Sequence, residues 1–158
     1  MDTIVIRGGR PLEGEVTVSG SKNAALPLLF SALLTRERCV IKNVPMLADV
    51  ATALQVLRHL GARAQRSPDG REVIIEARDI AHSEAPYDLV KTMRASFLVL
   101  GPLLARFGRA RVSTPGGCAI GARPVDFHLS GLQRLGANLR IHEGYVEADA
   151  GRLRGAKV

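Results

Sequence analysis

The sequence is poor in residues on which several classes of protein depend. Aromatic residues make up 4% of its 158 residues and Trp is absent, so the stacking platforms of single-stranded nucleic-acid binders are scarce. Two cysteines, Cys39 and Cys118, do not suggest a disulfide scaffold, and no Cys or His spacing matches a zinc site. The longest apolar stretches, residues 24–34 and 95–105, are too short to cross a bilayer. We therefore expect a cytoplasmic protein that binds no metal ion, no cofactor, no nucleic acid and no membrane.

Positive charge is what the sequence has in excess. It carries 22 Lys and Arg against 15 Asp and Glu, a net charge of +7, and such an excess favours anionic partners. The basic residues are scattered along the chain instead of forming a dense block, which favours small phosphorylated ligands. A basic RNA-binding module is the alternative that the charge permits, although no RNA-binding motif is present.

The apolar pattern contains an internal repeat. Residues 54–62 and 129–137 both have the pattern Leu-x-x-Leu-x-x-Leu-Gly-Ala, and an apolar helix and a short strand precede each copy. We therefore predict two copies of a helix–strand–helix–strand–strand unit, which gives an α+β fold built from α/β repeats.

Two further elements are predicted from the positions of Gly and Pro. Residues 88–107 are predicted as one largely apolar helix with a kink or break at Gly101 and Pro102. Short strands at residues 4–6 and 14–19 are predicted ahead of the first repeat, with a turn between them.

A first candidate site lies at the predicted start of a helix, in the sequence Ser-Gly-Ser-Lys-Asn at residues 19–23. With Ser21 as the N-cap, the backbone N–H groups and the helix dipole make this end a good anion site. Lys22 adds charge, and Asn23 adds hydrogen-bonding groups. The alternative is an ordinary capped helix with a solvated lysine, which sequence physics alone favours.

A second candidate site is the loop at residues 114–124, whose prolines and glycines allow it to move or to approach a ligand closely. Cys118 is a candidate reactive group there, and the nearby Arg123 favours its thiolate form. The alternative, a turn whose cysteine fills a small gap, stays open.

A third candidate is the pair Lys91 and Arg94, which share one side of an otherwise very apolar helix. Arg94 is predicted to be drawn towards a cleft, whereas Lys91 is interpreted as solvated. A solvated stripe near the start of the helix is the commoner case.

Three segments, in this order along the chain, resemble motifs of one enzyme family: Ser19 to Pro27, Lys91 to Ser96 and, nearly letter for letter, Pro115 to Asp126. They are similar to segments of the UDP-N-acetylglucosamine 1-carboxyvinyltransferases, and the resemblance runs from Thr3 to Val158. A sister family that transfers enolpyruvate to shikimate 3-phosphate shares the fold but lacks this cysteine loop, so it fits less well.

The resemblance implies a reaction and a set of site residues. The enolpyruvyl group of phosphoenolpyruvate would pass to the 3-hydroxyl of UDP-N-acetylglucosamine with release of phosphate, the first committed step of peptidoglycan synthesis. Cys118 would act as general acid or nucleophile. Lys22 and Arg123 would bind phosphoenolpyruvate, Asn23 would lie at the sugar and phosphate side, and Arg94 would bind the nucleotide sugar. The uridine end would be held by Arg123, Pro124, Val125, Asp126 and Phe127, the last of which stands where Leu or Gln is more usual.

The resemblance also implies an architecture of two inside-out α/β barrels, each made of three repeated units. Residues 21–86 and 87–158 would be two units of one barrel, and residues 1–20 a strand pair of the other. The remaining C-terminal part of the same polypeptide would supply a carboxylate base and a further phosphate-binding arginine. We therefore expect this chain alone to be inactive; the alternative is a fragment that binds the nucleotide sugar without catalysis.

Overall fold

The computed structural model, which describes residues 3–90, 93–114 and 125–157, contains two successive units of similar design. The first unit consists of α1 (Lys22–Ser31), a 3-10 helix (Ala32–Leu34), β1 (Arg38–Ile41), α2 (Ala48–His59), β2 (Arg63–Arg66) and β3 (Val73–Glu76). The second consists of β4 (Glu84–Ala85), α3 (Tyr87–Val90), a 3-10 helix (Arg94–Val99), α4 (Leu100–Phe107), β5 (Arg109–Ser113), α5 (Asp126–Arg134), β6 (Asn138–His142) and β7 (Tyr145–Asp149).

The two sheets repeat the same strand order. In the first sheet, β3 lies between β1 and β2 and pairs antiparallel with both. In the second, β7 lies in the same way between β5 and β6. The short β4 adds a parallel strand beside β5 that the sequence did not predict. The predicted repeat of a helix–strand–helix–strand–strand unit is therefore confirmed at the level of topology.

The two repeated helices end in the same way. Gly61 and Gly136 have φ angles of +105° and +99°, which a residue without a Cβ adopts at little cost. In each copy the Ala after the Gly donates its N–H to a leucine carbonyl oxygen in the last turn of the helix. Ala62 donates to Leu57, and Ala137 donates to Leu132. The repeated Leu-x-x-Leu-Gly-Ala sequence therefore encodes a helix followed by a Schellman stop.

The same leucines are not buried to the same extent in the two units. Leu54, Leu57 and Leu60 are fully or almost fully buried, because α2 packs between α1 and the first sheet. Their equivalents in α5 are only partly buried, and α5 contains no fully buried residue. The second unit therefore leaves one apolar helix face partly uncovered.

Arg106 of α4 joins the two units. Its Nη1 atom donates to the carbonyl oxygens of Leu33 at 2.7 Å and Thr35 at 2.9 Å, and Nη2 donates to that of Arg78 at 3.3 Å. Burial, reinforced by the charge of Arg36, lowers the pKa of Arg106. One side chain thus satisfies three carbonyl groups of the first unit from the second.

Two predictions of secondary structure are wrong. Residues 3–20 form no strand, and Ile4, Ile6 and Val16 are 84–91% exposed, because no strand among the described residues lies beside them to complete a ladder. The predicted helix at 88–107 is interrupted before Arg94, not at Gly101 and Pro102. Pro102 lies in the first turn of α4, where its missing N–H is not needed.

Within the described residues, every helix is too short or too polar to cross a membrane. The assignment of residues 1–20, 21–86 and 87–158 to separate parts of two barrels stays a prediction.

Candidate active site

The N-terminus of α1 places two of the predicted site residues side by side. Ser21 occupies the N-cap position with extended backbone, as predicted, and its carbonyl accepts the first helical hydrogen bond from Ala25 at 2.9 Å. Its side chain makes no capping hydrogen bond. The positive end of the helix therefore faces outward at Lys22 and Asn23, both of which are exposed.

Three elements meet around this helix end and form a cleft of about 360 Å³. Lys22 and Asn23 come from α1, Asp49 from the first turn of α2, and Arg94 from the first position of the second 3-10 helix. The structure thus brings together three residues that the sequence assigned to substrate binding from positions about 70 apart in the chain. The lining consists of Lys22, Asn23, Leu26, Asp49, Met93, Arg94 and Ala95.

Asp49 is the cleft residue that the sequence analysis missed. Its Oδ2 atom lies 2.9 Å from the Nζ atom of Lys22, with side chains 35% and 48% exposed. Such an exposed ion pair contributes at most about 1 kcal/mol to stability, so its importance lies in where it holds the ammonium group. An acidic residue in a first helical turn was the only signal in the sequence, and that pattern also occurs for capping alone.

A close backbone contact fixes the segment that leads into α1. A Cβ atom on Gly20 would lie 1.7 Å from the carbonyl oxygen of Asn43 and 3.1 Å from Cδ of Pro45. The loop between β1 and α2 therefore packs directly against the peptide two residues before Lys22. Only glycine allows this approach.

The start of α5 lies on a second, more apolar groove of about 360 Å³. Val125 is half-buried, Asp126 is exposed in the first helical turn, and Phe127 is 87% exposed. The 3-10 helix at 94–99 joins this groove to the cleft, because its first residues line the cleft and its later ones line the groove. The groove is lined by Phe97, Leu98, Leu100, Gly101, Phe127, His128, Gly131, Leu132 and Leu135.

Three predicted site residues, Cys118, Arg123 and Pro124, lie outside the described residues, as does Lys91. The other cysteine, Cys39, is half-buried in β1 and packs against the core. Its Sγ atom lies 3.8 Å from the carbonyl oxygen of Glu37. The assignment of Cys118 as the reactive group therefore stays a prediction from the sequence.

The arrangement of the cleft is that of an anion site. A helix N-terminus, an ammonium group and a guanidinium group converge there, with one carboxylate beside the ammonium group. Backbone dipoles and fixed cations of this kind bind phosphate and carboxylate groups. Within the part of the chain that the structure describes, no three His, Cys, Asp or Glu side chains come close enough to hold a metal ion.

Comparison with known proteins agrees with this geometry. The family model described as EPSP synthase (3-phosphoshikimate 1-carboxyvinyltransferase) matches residues 6–158. The chain belongs to the EPSP synthase family.

Individual relatives within the EPSP synthase family are more similar still. The chain is 61% identical over 159 residues to a UDP-N-acetylglucosamine 1-carboxyvinyltransferase from Myxococcus xanthus (strain DK1622). The alignment covers 100% of this chain but only 38% of that protein. The chain is 58% identical over 155 residues to the enzyme of the same name from Dichelobacter nodosus (strain VCS1703A), covering 98% of this chain and 37% of the relative. The chain therefore spans little more than a third of the length of these relatives.

Solved structures of the EPSP synthase family share the fold. The enolpyruvyl transferase NikO from Streptomyces tendae superposes with a TM-score of 0.75 at 28% identity, over 92% of this chain and 32% of NikO. The enolpyruvyl transferase fold, a mixed α+β architecture, is thereby established for this chain. The finer description, as two of three units of an inside-out barrel, stays a prediction.

Proposed function

We propose that this chain forms part of an enzyme that transfers the enolpyruvyl group of phosphoenolpyruvate to the 3-hydroxyl of UDP-N-acetylglucosamine and releases phosphate. The observation that carries the proposal is the cleft that unites Lys22, Asn23 and Arg94. It occurs in a chain that is 61% identical to a UDP-N-acetylglucosamine 1-carboxyvinyltransferase. The reaction would be the first committed step of peptidoglycan synthesis, in the cytoplasm, and would contribute to cell-wall formation.

The cleft suits the anionic substrates of this reaction. Lys22 and the N-terminus of α1 would hold the phosphate of phosphoenolpyruvate, because both present positive charge at the same opening. Asn23, one residue further on, would contact the sugar and phosphate groups. Arg94, at the start of the 3-10 helix that also lines the cleft, would bind the nucleotide sugar. Two strongly anionic substrates also explain the net charge of +7.

The chemistry needs a proton donor at the methylene carbon of phosphoenolpyruvate. Protonation there places cationic character on the neighbouring carbon, which the sugar 3-hydroxyl oxygen attacks while a base takes its proton. Loss of phosphate together with a methyl proton then restores the double bond in the ether product. We assign the donor role to Cys118, with Arg123 as its cationic neighbour. As a thiolate, Cys118 can also form a covalent adduct with phosphoenolpyruvate at the neighbouring carbon that becomes cationic. This assignment is supported by the sequence motif.

The uridine end of the nucleotide sugar would lie where α5 begins. The residues from Arg123 through Phe127 precede or open this helix in the sequence, and Phe127 lines the groove, which shares the 3-10 helix at 94–99 with the cleft. Backbone groups at a helix start can bind uracil without a dedicated side chain. Phe127, which stands where Leu or Gln is more usual, would alter only the fit around the uracil base.

We further propose that the chain contributes two of the three units of one inside-out barrel. The partly uncovered apolar face of α5 supports this, since a helix of this design is buried by a neighbouring unit. Residues 1–20 would pair as strands in the other barrel, which fits their exposed Ile and Val side chains. The remaining C-terminal part of the polypeptide would supply the base and a second phosphate-binding arginine. This chain alone would therefore not catalyse enolpyruvyl transfer.

The proposal is tested by joining this chain to the part of the Myxococcus xanthus relative that it does not cover. Phosphate release from phosphoenolpyruvate and UDP-N-acetylglucosamine is expected from the chimera and not from the 158-residue chain. Cys118→Ala should abolish turnover in the chimera, whereas Cys39→Ala should not. Turnover with shikimate 3-phosphate in place of the nucleotide sugar would refute the proposed acceptor.

Two other outcomes have definite meanings. Clear turnover by the 158-residue chain would refute its dependence on further residues. Calorimetric binding of UDP-N-acetylglucosamine to the chain, with an inactive chimera, would instead favour a nucleotide-sugar-binding module without catalysis.

A further inference from the structure

Arg66 holds the loop between β1 and α2 through hydrogen bonds to its backbone. Its Nη1 atom donates to the carbonyl oxygen of Val44 at 3.1 Å, and Nη2 donates to that of Pro45 at 3.2 Å. Nη1 also donates to the carbonyl oxygen of Gly70. One planar guanidinium group thus fixes two successive peptides of the loop against the turn between β2 and β3.

The other side of this loop touches the entry to α1. The carbonyl oxygen of Asn43 lies where a Cβ of Gly20 would stand, two residues before Lys22. Asn43 itself has a φ angle of +53°, in the left-handed region, which Asn tolerates better than most residues. The loop therefore acts as the surface against which the Gly20 peptide, and with it the start of α1, is set.

The same loop begins α2. The N–H of Leu47 donates to the carbonyl oxygen of Pro45 at 3.1 Å. The N–H groups of Val50 and Ala51 donate to the carbonyl oxygen of Leu47 at 3.1 and 3.2 Å. Asp49 lies within this first turn, and its carboxylate meets the ammonium group of Lys22. Both members of the ion pair are therefore positioned by peptides next to those that Arg66 holds.

We propose that Arg66 is a positioning residue for the anion-binding end of the cleft. It does not line the cleft, so it acts only through the loop, on Gly20 and Lys22 to one side and on Asp49 to the other. The role rests on the proposed function, in which Lys22 binds the phosphate of phosphoenolpyruvate. Lysine cannot replace Arg66, because a single ammonium group cannot donate in parallel to two carbonyl groups of fixed spacing.

Arg106 provides the matched control. It makes the same kind of contact, a guanidinium group donating to three backbone carbonyls, but it does so at the junction of the two units and not at the loop. Arg66→Lys and Arg106→Lys therefore remove similar interactions from the same chain. A purely structural role for Arg66 would give the two variants similar behaviour at the cleft.

The first measurement needs no ligand. Hydrogen exchange of the amides of Ala25, Val50 and Ala51, which close the first turns of α1 and α2, is followed in the 158-residue chain. Arg66→Lys is expected to speed their exchange about tenfold relative to Arg106→Lys, because losing one such hydrogen bond changes an opening equilibrium by that order. Asn43→Gly, which loosens the loop without removing a side-chain contact, should act in the same direction to a smaller extent.

The second measurement is the dissociation constant of phosphoenolpyruvate, from the shifts of the Lys22 and Asn23 amide signals. If the loop no longer fixes Lys22, binding must order that side chain, so Arg66→Lys should weaken binding about tenfold while Arg106→Lys leaves it unchanged. If the 158-residue chain does not bind phosphoenolpyruvate, the dissociation constant is measured in the chimera, which adds the second phosphate-binding arginine. Absence of binding there would refute the proposed role of Lys22, and the exchange data alone would then decide the role of Arg66. Equal exchange and equal binding in the Arg66 and Arg106 variants would overturn the positioning role.

Discussion

The Nζ atom of Lys22 lies 2.9 Å from the Oδ2 atom of Asp49, and both residues line the cleft. The two residues begin different helices, so the pair links the orientation of α1 to that of α2. Because the carboxylate offsets part of the ammonium charge, a phosphate bound as we propose would compete with Asp49 for Lys22. We therefore expect the ion pair to set both the position of Lys22 and the strength with which the cleft attracts anions.

Replacing Asp49 with Asn tests this competition. The free energy of unfolding should change by no more than about 1 kcal/mol, since the pair is exposed. The affinity for phosphoenolpyruvate should rise several-fold and become more sensitive to salt, because the cleft gains net positive charge while the amide oxygen can still accept from Lys22. Urea unfolding and calorimetry at low and high salt measure the two effects.

Glu72→Gln is the matched control for Asp49→Asn. It removes another exposed carboxylate of the first unit, paired with Lys42 at 3.8 Å and absent from the lining of the cleft. Weaker phosphoenolpyruvate binding in Asp49→Asn, or an equal gain in Glu72→Gln, would contradict a local effect.

A second prediction concerns the approach of Gly20 to Asn43. Gly20→Ala would place a Cβ atom 1.7 Å from a backbone oxygen, and because no side chain can move aside, we expect a loss of roughly 3 kcal/mol or more in stability. Gly101→Ala, in α4 where nothing lies within 4 Å of the added Cβ, should instead stabilise by about 0.5–1 kcal/mol. Thermal unfolding of both variants gives the comparison. Equal effects would mean that the loop yields to Gly20→Ala.

The repeat and its helix stops could be predicted from the sequence because their causes are local. The Leu-x-x-Leu spacing specifies a helical face, and Gly61 and Gly136 specify where each helix ends. The hairpin between β6 and β7 is equally local, with Glu143 and Gly144 both at positive φ. Each of these elements is specified by residues close together in the sequence.

The features that the sequence did not reveal depend on distant partners. The role of Asp49 depends on the position of α2 beside Lys22, and that of Arg66 on carbonyl groups more than 20 residues away in the sequence. The strands predicted at 4–6 and 14–19 have suitable alternation but no neighbouring strand among the residues that the structure describes. Strand formation is a property of pairs of segments, so alternation in one segment alone cannot guarantee it.

A third prediction compares the two cysteines. Cys39 is half-buried in β1, where its thiol is sheltered by the core, whereas Cys118 belongs to the loop that we propose as the reactive segment. In the chimera described above, iodoacetamide should alkylate Cys118 faster than Cys39, because a thiol near cationic groups has more thiolate. Peptide mass spectrometry over time measures both rates. Equal or reversed rates under native conditions would count against Cys118 as the reactive group.

A fourth prediction concerns the junction between the units. Arg106→Met leaves three carbonyl groups of the first unit without their charged donor, and we expect a loss of about 2–3 kcal/mol. Both tyrosines, Tyr87 and Tyr145, lie in the second unit, so tyrosine fluorescence reports on that unit while far-ultraviolet circular dichroism reports on both. The two transitions in urea should separate in Arg106→Met.

Arg58→Met is the control for this separation. It removes a guanidinium contact made within the first unit, from Nε to the carbonyl oxygen of Ala64 at 2.7 Å. Its transitions by the two probes should remain coincident even if the midpoint falls. Coincident transitions in Arg106→Met would show that Arg106 stabilises the fold without coupling the units.

The turn between β2 and β3 gives a pH-dependent prediction. The hydroxyl of Ser67 donates to Oδ1 of Asp69 at 2.5 Å and the N–H of Arg71 donates to it at 3.1 Å, and these bonds lower the pKa of Asp69 below its ordinary 3.8. A carboxyl group whose pKa is lower in the folded chain stabilises the fold fully above its unfolded pKa, and that contribution is lost as pH falls through the folded pKa. Asp69→Asn should therefore flatten the acid limb of the stability profile.

Urea midpoints between about pH 5 and pH 2 measure this effect, with Asp149→Asn, in β7, as the control for removing a carboxylate. The same turn contains Gly70, whose carbonyl oxygen accepts from Arg66. Loosening the turn by acid should therefore reach the loop that Arg66 holds and speed the exchange of the Val50 and Ala51 amides as pH falls, after correction for intrinsic exchange rates. In Asp69→Asn this pH dependence should be absent; if it persisted unchanged, the turn and the loop would be independent of each other.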